Sequence, residues 1–202
     1  MTRVAYKVGP ADDGRRMSLE DFDRAEGAQG YLYELSRGMV TVTNVPNRHH
    51  FAQVNAIRRQ VSGYESSHPD QIHAIAGGSD CKILIASLES ERHPDLAIYR
   101  TPMPADEDLW AVWVPELVIE VVSPESSHRD YEEKPEEYLQ FGVREYWIID
   151  LDRDEMLVLR RSGGRWARRV VKPGERCRTR LLPDFEFDLA AVFEAARTGG
   201  RS

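Results

Sequence analysis

The run Leu117-Val-Ile-Glu-Val-Val122 constrains this chain more than any other segment. Its aliphatic side chains do not alternate with polar ones, which is the pattern of a strand covered on both faces. Such strands belong to sheets that carry helices on either side. Glu120 stands inside that run. A carboxylate buried there costs, by order of magnitude, several kcal/mol of lost hydration unless a cation or hydrogen bonds compensate it. Asp95 poses the same problem at the head of a second strand-like run, Asp95-Leu-Ala-Ile-Tyr99. Two acids on neighbouring strands point to a divalent metal as the compensation.

A chain of 202 residues with 41% hydrophobic content fits one domain around one core. The expected domain spans residues 18–197, with a loose tail over 1–17 and another over 198–202. No run has signal-peptide character or approaches the ~20 apolar residues of a membrane span, so a cytoplasmic location and no membrane contact are expected. Cys81 and Cys177 lack the spacing of a zinc or redox pair and are expected to be reduced. The net charge of −7 argues against a general nucleic-acid coat, whose affinity comes from Lys and Arg displacing counterions.

Ser18 with Asp21 reads as the cap of a short helix through about Ala25. Tyr31-Leu-Tyr-Glu-Leu35 and Met39-Val-Thr-Val-Thr43 form an expected hairpin. From Arg48 to about Ser62, Phe51, Val54, Ile57 and Val61 share one helical face. Strands are then expected at Cys81–Ala86, Asp95–Tyr99 and Leu117–Val122, followed by a helix ended at Gly142 and a strand at Tyr146–Ile149. Residues 155–180 read as short strands around a turn at Gly163-Gly164, and Leu189–Ala196 as a closing helix.

Along the central strand, Val118, Glu120 and Val122 share one face. If the Asp95 strand lies beside it, both carboxylates can supply oxygen to Mg2+ or Mn2+, with waters and a backbone carbonyl, that of Val121, completing the shell. A bound ion of this kind activates water and polarises a phosphoryl oxygen. Lys134, near the start of the following helix, is the candidate ammonium for orienting the water or stabilising the transition state. Pro135 disfavours α geometry at Lys134 and places that lysine at the helix cap.

At these residues the chain resembles a known group. His93-Pro-Asp-Leu-Ala-Ile98, Leu117-Val-Ile-Glu-Val-Val-Ser-Pro124 and the stretch from Asp130 to Asp150 are similar to the Uma-two family of bacterial endonuclease-like proteins, relatives of the PD-(D/E)xK restriction enzymes. The likeness extends from Met17-Ser-Leu-Glu-Asp-Phe22 to Leu182-Pro-Asp-Phe-Glu-Phe-Asp-Leu189. It implies an α/β, restriction-endonuclease-like core: a mixed central sheet flanked by helices, with an N-terminal hairpin and C-terminal short strands. It also implies a metal-dependent endonuclease acting on DNA. Pro94-Asp95 matches the PD element, Glu120 the second acid, and Glu34 a further acid of the catalytic and metal set. The lysine two residues after the acid is replaced here by Val122, and the family draws it from the next helix, at Lys134.

Other residues have plainer readings. His49 and His50 are expected at a helix entry, since neighbouring histidines point in different directions and lack a second ligand pair. Trp110, Trp113, Tyr146 and Trp147 read as core or dimer contacts. The arginines among residues 160–180 read first as solvated and ion-paired, and secondarily as a DNA-contacting face. A homodimer is expected, because cutting two strands is often shared between two subunits. The competing reading is a catalytically silent module of the same fold that serves binding, regulation or assembly. A third is a phosphoesterase acting on RNA or a small nucleotide.

Overall fold

The computed structural model describes residues 6–105 and 108–199. In chain order the strands are β1 Lys7–Val8, β2 Glu26–Gly27, β3 Tyr31–Ser36, β4 Met39–Asn44, β5 Ala74–Ala76, β6 Ile83–Ile85 and β7 Ser90–Arg92. They continue with β8 Leu96–Tyr99, β9 Leu117–Val121, β10 Glu145–Asp150, β11 Glu155–Ser162, β12 Arg165–Val171, β13 Cys177–Arg178 and β14 Glu186–Phe187. The α-helices are α1 Leu19–Asp23, α2 Arg48–Ser67, α3 Leu109–Val112, α4 Lys134–Phe141 and α5 Leu189–Thr198. A six-stranded sheet runs in the order β12-β11-β10-β9-β8-β5, and a four-stranded sheet in the order β4-β3-β7-β6. The larger sheet is mixed: β9 and β10 are parallel, and β8 runs antiparallel to β9.

Both faces of β9 are covered, as its aliphatic run requires. Leu117, Ile119 and Val121 join Ile57 and Val61 of α2 and Val192 and Phe193 of α5 in one core. Val118 faces the other way, into a core with Tyr138 of α4, Tyr146 and Ile148 of β10, and Ile83 and Ile85 of β6. Gly142 stops α4 in the left-handed region, at φ 116°, where a residue without Cβ is least strained. The chain then returns as β10, completing the expected strand-helix-strand crossover.

Three features depart from expectation. Residues 6–17 are not a loose tail: β1 pairs with β2, and Val8 and Met17 bury their side chains against Leu35 and Val40 of the hairpin. Residues 1–5 and 200–202, also assigned to tails, lie outside the described residues. Second, the strand expected at Cys81–Ala86 is shorter, β6 at Ile83–Ile85, and belongs to the smaller sheet through β7. Third, β7 went unforeseen because Ser90-Glu91-Arg92 has no apolar residue, although all three are buried. Trp113 and Trp147 are core residues; Trp113 stacks on Tyr99 at 3.9 Å between ring centroids. Both cysteines are free and buried.

Candidate active site

The two acids meet where β8 begins and β9 ends. Leu96 pairs with Ile119, so extending the antiparallel register by one residue sets Asp95 opposite Glu120. The Asp95 backbone N–H donates to Glu120 Oε2 at 3.4 Å, and the Val121 N–H donates to Asp95 Oδ2 at 2.8 Å. Gly77 makes room for this junction. A Cβ at residue 77 would stand 2.2 Å from the Asp95 carbonyl oxygen, so a larger residue would push the head of β8 away.

Lys134 enters from above β9. Its Nζ donates to Glu120 Oε1 at 3.0 Å and lies 2.9 Å from Asp130 Oδ1. Tyr138, one turn along α4, donates its hydroxyl to the same Glu120 oxygen at 2.8 Å. The lysine does not cap an isolated helix. Residues Arg129–Glu133 form a π-helical turn running directly into α4, and the Lys134 N–H bonds back to the Arg129 carbonyl. Pro135 lacks an N–H, and the wider π turn accommodates that loss without breaking the helix. The same register shift places Asp130 one turn before Lys134 on the sheet side.

Glu34 joins this cluster from β3. Its Oε1 lies 3.8 Å from Lys134 Nζ and accepts the His93 backbone N–H at 3.1 Å. Its Oε2 accepts from Arg92 at 3.2 Å, with Arg129 at 4.0 Å. Expected as an ion ligand, Glu34 therefore stands behind Lys134 with both oxygens engaged by cations and an amide. Arg92 is wholly buried and also reaches Glu137 at 2.7 Å, Glu133 at 3.1 Å and Ser36 at 2.7 Å.

His49 and His50 stand at the helix entry, as expected, but one of them also reaches the acids. Asn47 caps α2 by accepting the N–H groups of His49 and His50, which fixes the first helical turn. His49 Nδ1 is 2.9 Å from the Ala196 carbonyl, a contact between α2 and α5. His50 Nε2 lies 3.1 Å from Asp95 Oδ2, inside the site. Helix periodicity separates the two rings, but only the contact across 45 residues says which one reaches the acids.

These residues line a cleft of about 760 Å³, bounded by the open end of the β3–β4 hairpin, the start of α2 and the Ser123–Ser126 turn. Asp23, Glu34, Glu91, Asp95, Glu120, Glu125 and Asp130 line it against only Arg129 and Lys134 among lysines and arginines. The imbalance registers in Glu120. Burial pushes its carboxyl up; Lys134 opposes this, but Asp95, Asp130 and Glu34 add to it, and the pKa rises to about 8. In Glu34 burial acts the same way but is outweighed by Lys134 and Arg92, which hold the pKa down to about 2. Burial disfavours the Lys134 ammonium, yet Asp130, Glu120 and Glu34 overcome it and raise its pKa.

Among the described residues no three His, Cys, Asp or Glu side chains already form a ligand set for an ion. The donor chemistry nevertheless fits a hard divalent cation. Asp95 and Glu120 offer carboxylate oxygens at one point of an acid-rich cleft, and Glu120 is held at a charge deficit that a doubly positive ion would relieve. The basic segment lies elsewhere. Arg165, Arg168 and Arg169 are exposed on β12, the edge strand three positions from β9, while Arg160 pairs with Glu145 and Arg178 with Glu186.

A mixed sheet flanked by helices defines a mixed α/β protein, with two acids and a lysine gathered at the end of a central strand. The chain belongs to the family described as "Uma2: Putative restriction endonuclease", which it matches over residues 19–190. The fold is similar to that of a crystal structure from Anabaena variabilis ATCC 29413, described as a putative nuclease belonging to DUF820. That likeness has a TM-score of 0.70 and 17% identity, and covers 89% of this chain and 99% of the other. No curated protein matches the chain. No helix among the described residues is long and apolar enough to cross a membrane.

Proposed function

We propose that the protein is a Mg2+- or Mn2+-dependent endonuclease that hydrolyses DNA phosphodiester bonds through a PD-(D/E)xK-type site. The observation carrying this reading is the cluster of half-buried Asp95 with buried Glu120 and Lys134 in an acidic cleft. A polyanion has no reason to enter a cleft lined by that excess of carboxylates unless cations come with it. Asp95, Glu120 and the Val121 carbonyl would hold the ion. When bound, it would acidify water and polarise the phosphoryl oxygen under attack.

The chain's own residues prepare that chemistry. Lys134, fixed between Asp130 and Glu120, presents an ammonium that orients the attacking water and offsets negative charge in the transition state. Tyr138 holds Glu120 in one rotamer by bonding the oxygen Lys134 also uses. Glu34 is a positioning residue, transmitting the anchoring of Arg92 to Lys134. The exposed arginines of β12 would track phosphates outside the cleft, and a homodimer would place one site on each strand. The acid-rich lining, poor in free cations, is what favours a silent binding module as the second reading.

Plasmid nicking with Mg2+ or Mn2+ tests the proposal. The wild type is expected to cleave, and Glu120→Gln to lose about 100-fold or more of the rate. An inactive wild type, or equal cleavage by the variant, contradicts it.

A further inference from the structure

His50 has no counterpart in the two-acid, one-lysine pattern, yet its ring meets Asp95 and lines the same cleft as Glu120 and Val121. Its Nε2 is 3.1 Å from Asp95 Oδ2. Its side chain is only 12% exposed, so burial and the capped first turn of α2 restrict where the ring can go.

The spacing between nitrogen and oxygen is informative. In an octahedral shell with bonds of about 2.1 Å, adjacent ligand atoms stand about 3 Å apart, since the edge is √2 times the bond. The His50–Asp95 pair already has that separation. The ring can therefore release the Nε2 proton to solvent and take up a shared ion in place of its hydrogen bond to Asp95, without leaving its place on α2.

We propose that His50 is a ligand of the divalent ion, giving one nitrogen beside the oxygens of Asp95 and Glu120, and that it biases the site toward Mn2+ over Mg2+. The inference rests on the reading that an ion binds between those acids. Mg2+ is served by carboxylate, carbonyl and water oxygens, whereas imidazole nitrogen favours transition metals. Replacing one oxygen ligand by nitrogen moves the preference in that direction. His49, turned to the Ala196 carbonyl, has no part in it.

Pulsed EPR of the full-length protein loaded with one equivalent of Mn2+ tests the assignment. Modulation from a directly bound 14N is expected in the wild type and absent in His50→Ala and in His50→Asn, which keeps a donor for Asp95. Calorimetry should show Mn2+ affinity falling about tenfold or more in both variants, with Mg2+ affinity falling by a smaller factor. Bound Mn2+ without nitrogen coupling in the wild type overturns the proposal, and needs no variant to fold. Coupling that persists in His50→Ala assigns the nitrogen to another residue and overturns it too. Equal loss of both affinities marks His50 as a structural support for Asp95 and also overturns it. If Mn2+ binding is the same in wild type and Glu120→Gln, the ion reading itself fails and His50 falls with it.

Discussion

Two buried cations on either side of Glu34, Arg92 and Lys134, have different surroundings. Arg92 is fully buried, and its fork is occupied by Glu34, Glu133, Glu137 and Ser36. It ties β7 to β3 and α4 and does not line the cleft. Lys134 is buried to 4% exposure against Glu120, Asp130 and Glu34, but it does line the cleft. A guanidinium in a rigid fork holds fixed geometry, whereas a compact ammonium with three donors can redirect one of them to an incoming group. Glu34 touches both, so in the proposed function Arg92 sets the position of Lys134. On that proposal, burial of charge is used once for structure and once for reactivity.

The largest effect expected from breaking this comparison is on folding. Arg92→Leu leaves buried Glu137 with only Arg37, at 4.0 Å, and takes one cation each from Glu34 and Glu133, and should cost about 3–5 kcal/mol in urea unfolding. A loss below about 1 kcal/mol would remove the structural half of the contrast. Lys134→Met should reduce cleavage about 10²–10³-fold while destabilising less than Arg92→Leu, because Glu120, whose carboxyl keeps its proton up to about pH 8, is not left as an unpaired buried charge. Lys134→Arg should not restore the rate, since the planar fork does not fit the space of an ammonium.

The sequence exposed one of these two centres and hid the other, for a physical reason. Glu120 announced itself as a charge among aliphatic residues, and Lys134 followed from the helix leaving that strand. The crossover, the hairpin and the amphipathic α2 were legible from periodicity. Arg92 was not, because β7 has no hydrophobic pattern; its burial is made possible by carboxylates from β3 and α4, up to 58 residues away in the chain. His50 was hidden similarly, since helix phase gives its direction but not what it faces. The π turn before Lys134 required knowing that the helix continues through Pro135.

The contrast sharpens with pH. Glu34 has a folded pKa below the ordinary 4.5, at about 2. Its contribution to stability is complete above 4.5 and is lost as pH falls toward 2. Glu120 is shifted the other way, to about 8 from 4.5. Between those values the unfolded chain has released its proton while the folded one retains it, so this group's contribution declines as pH rises through that window. Stability measured against pH in metal-free buffer should therefore fall less steeply toward pH 8 in Glu120→Gln than in wild type. The reverse difference would contradict the electrostatics described for the cluster.

The smallest effect belongs to the molecular surface. Glu186→Ala releases the exposed Arg176 and Arg178 and should change stability by less than about 1 kcal/mol. Replacing Arg168 on β12 should weaken DNA binding modestly and reduce the dependence of log K on log salt by about 1 if it meets a phosphate. An unchanged slope would take that arginine out of the DNA-contacting face.

Anomalous diffraction from crystals soaked in Mn2+ examines the central claim most directly. The expected result is a single strong peak about 2 Å from carboxylate oxygens of both Asp95 and Glu120, with the Lys134 ammonium still bonded to Glu120. Saturating Mn2+ that leaves no peak between these two acids, or places its strongest peak away from the cleft, would contradict the account.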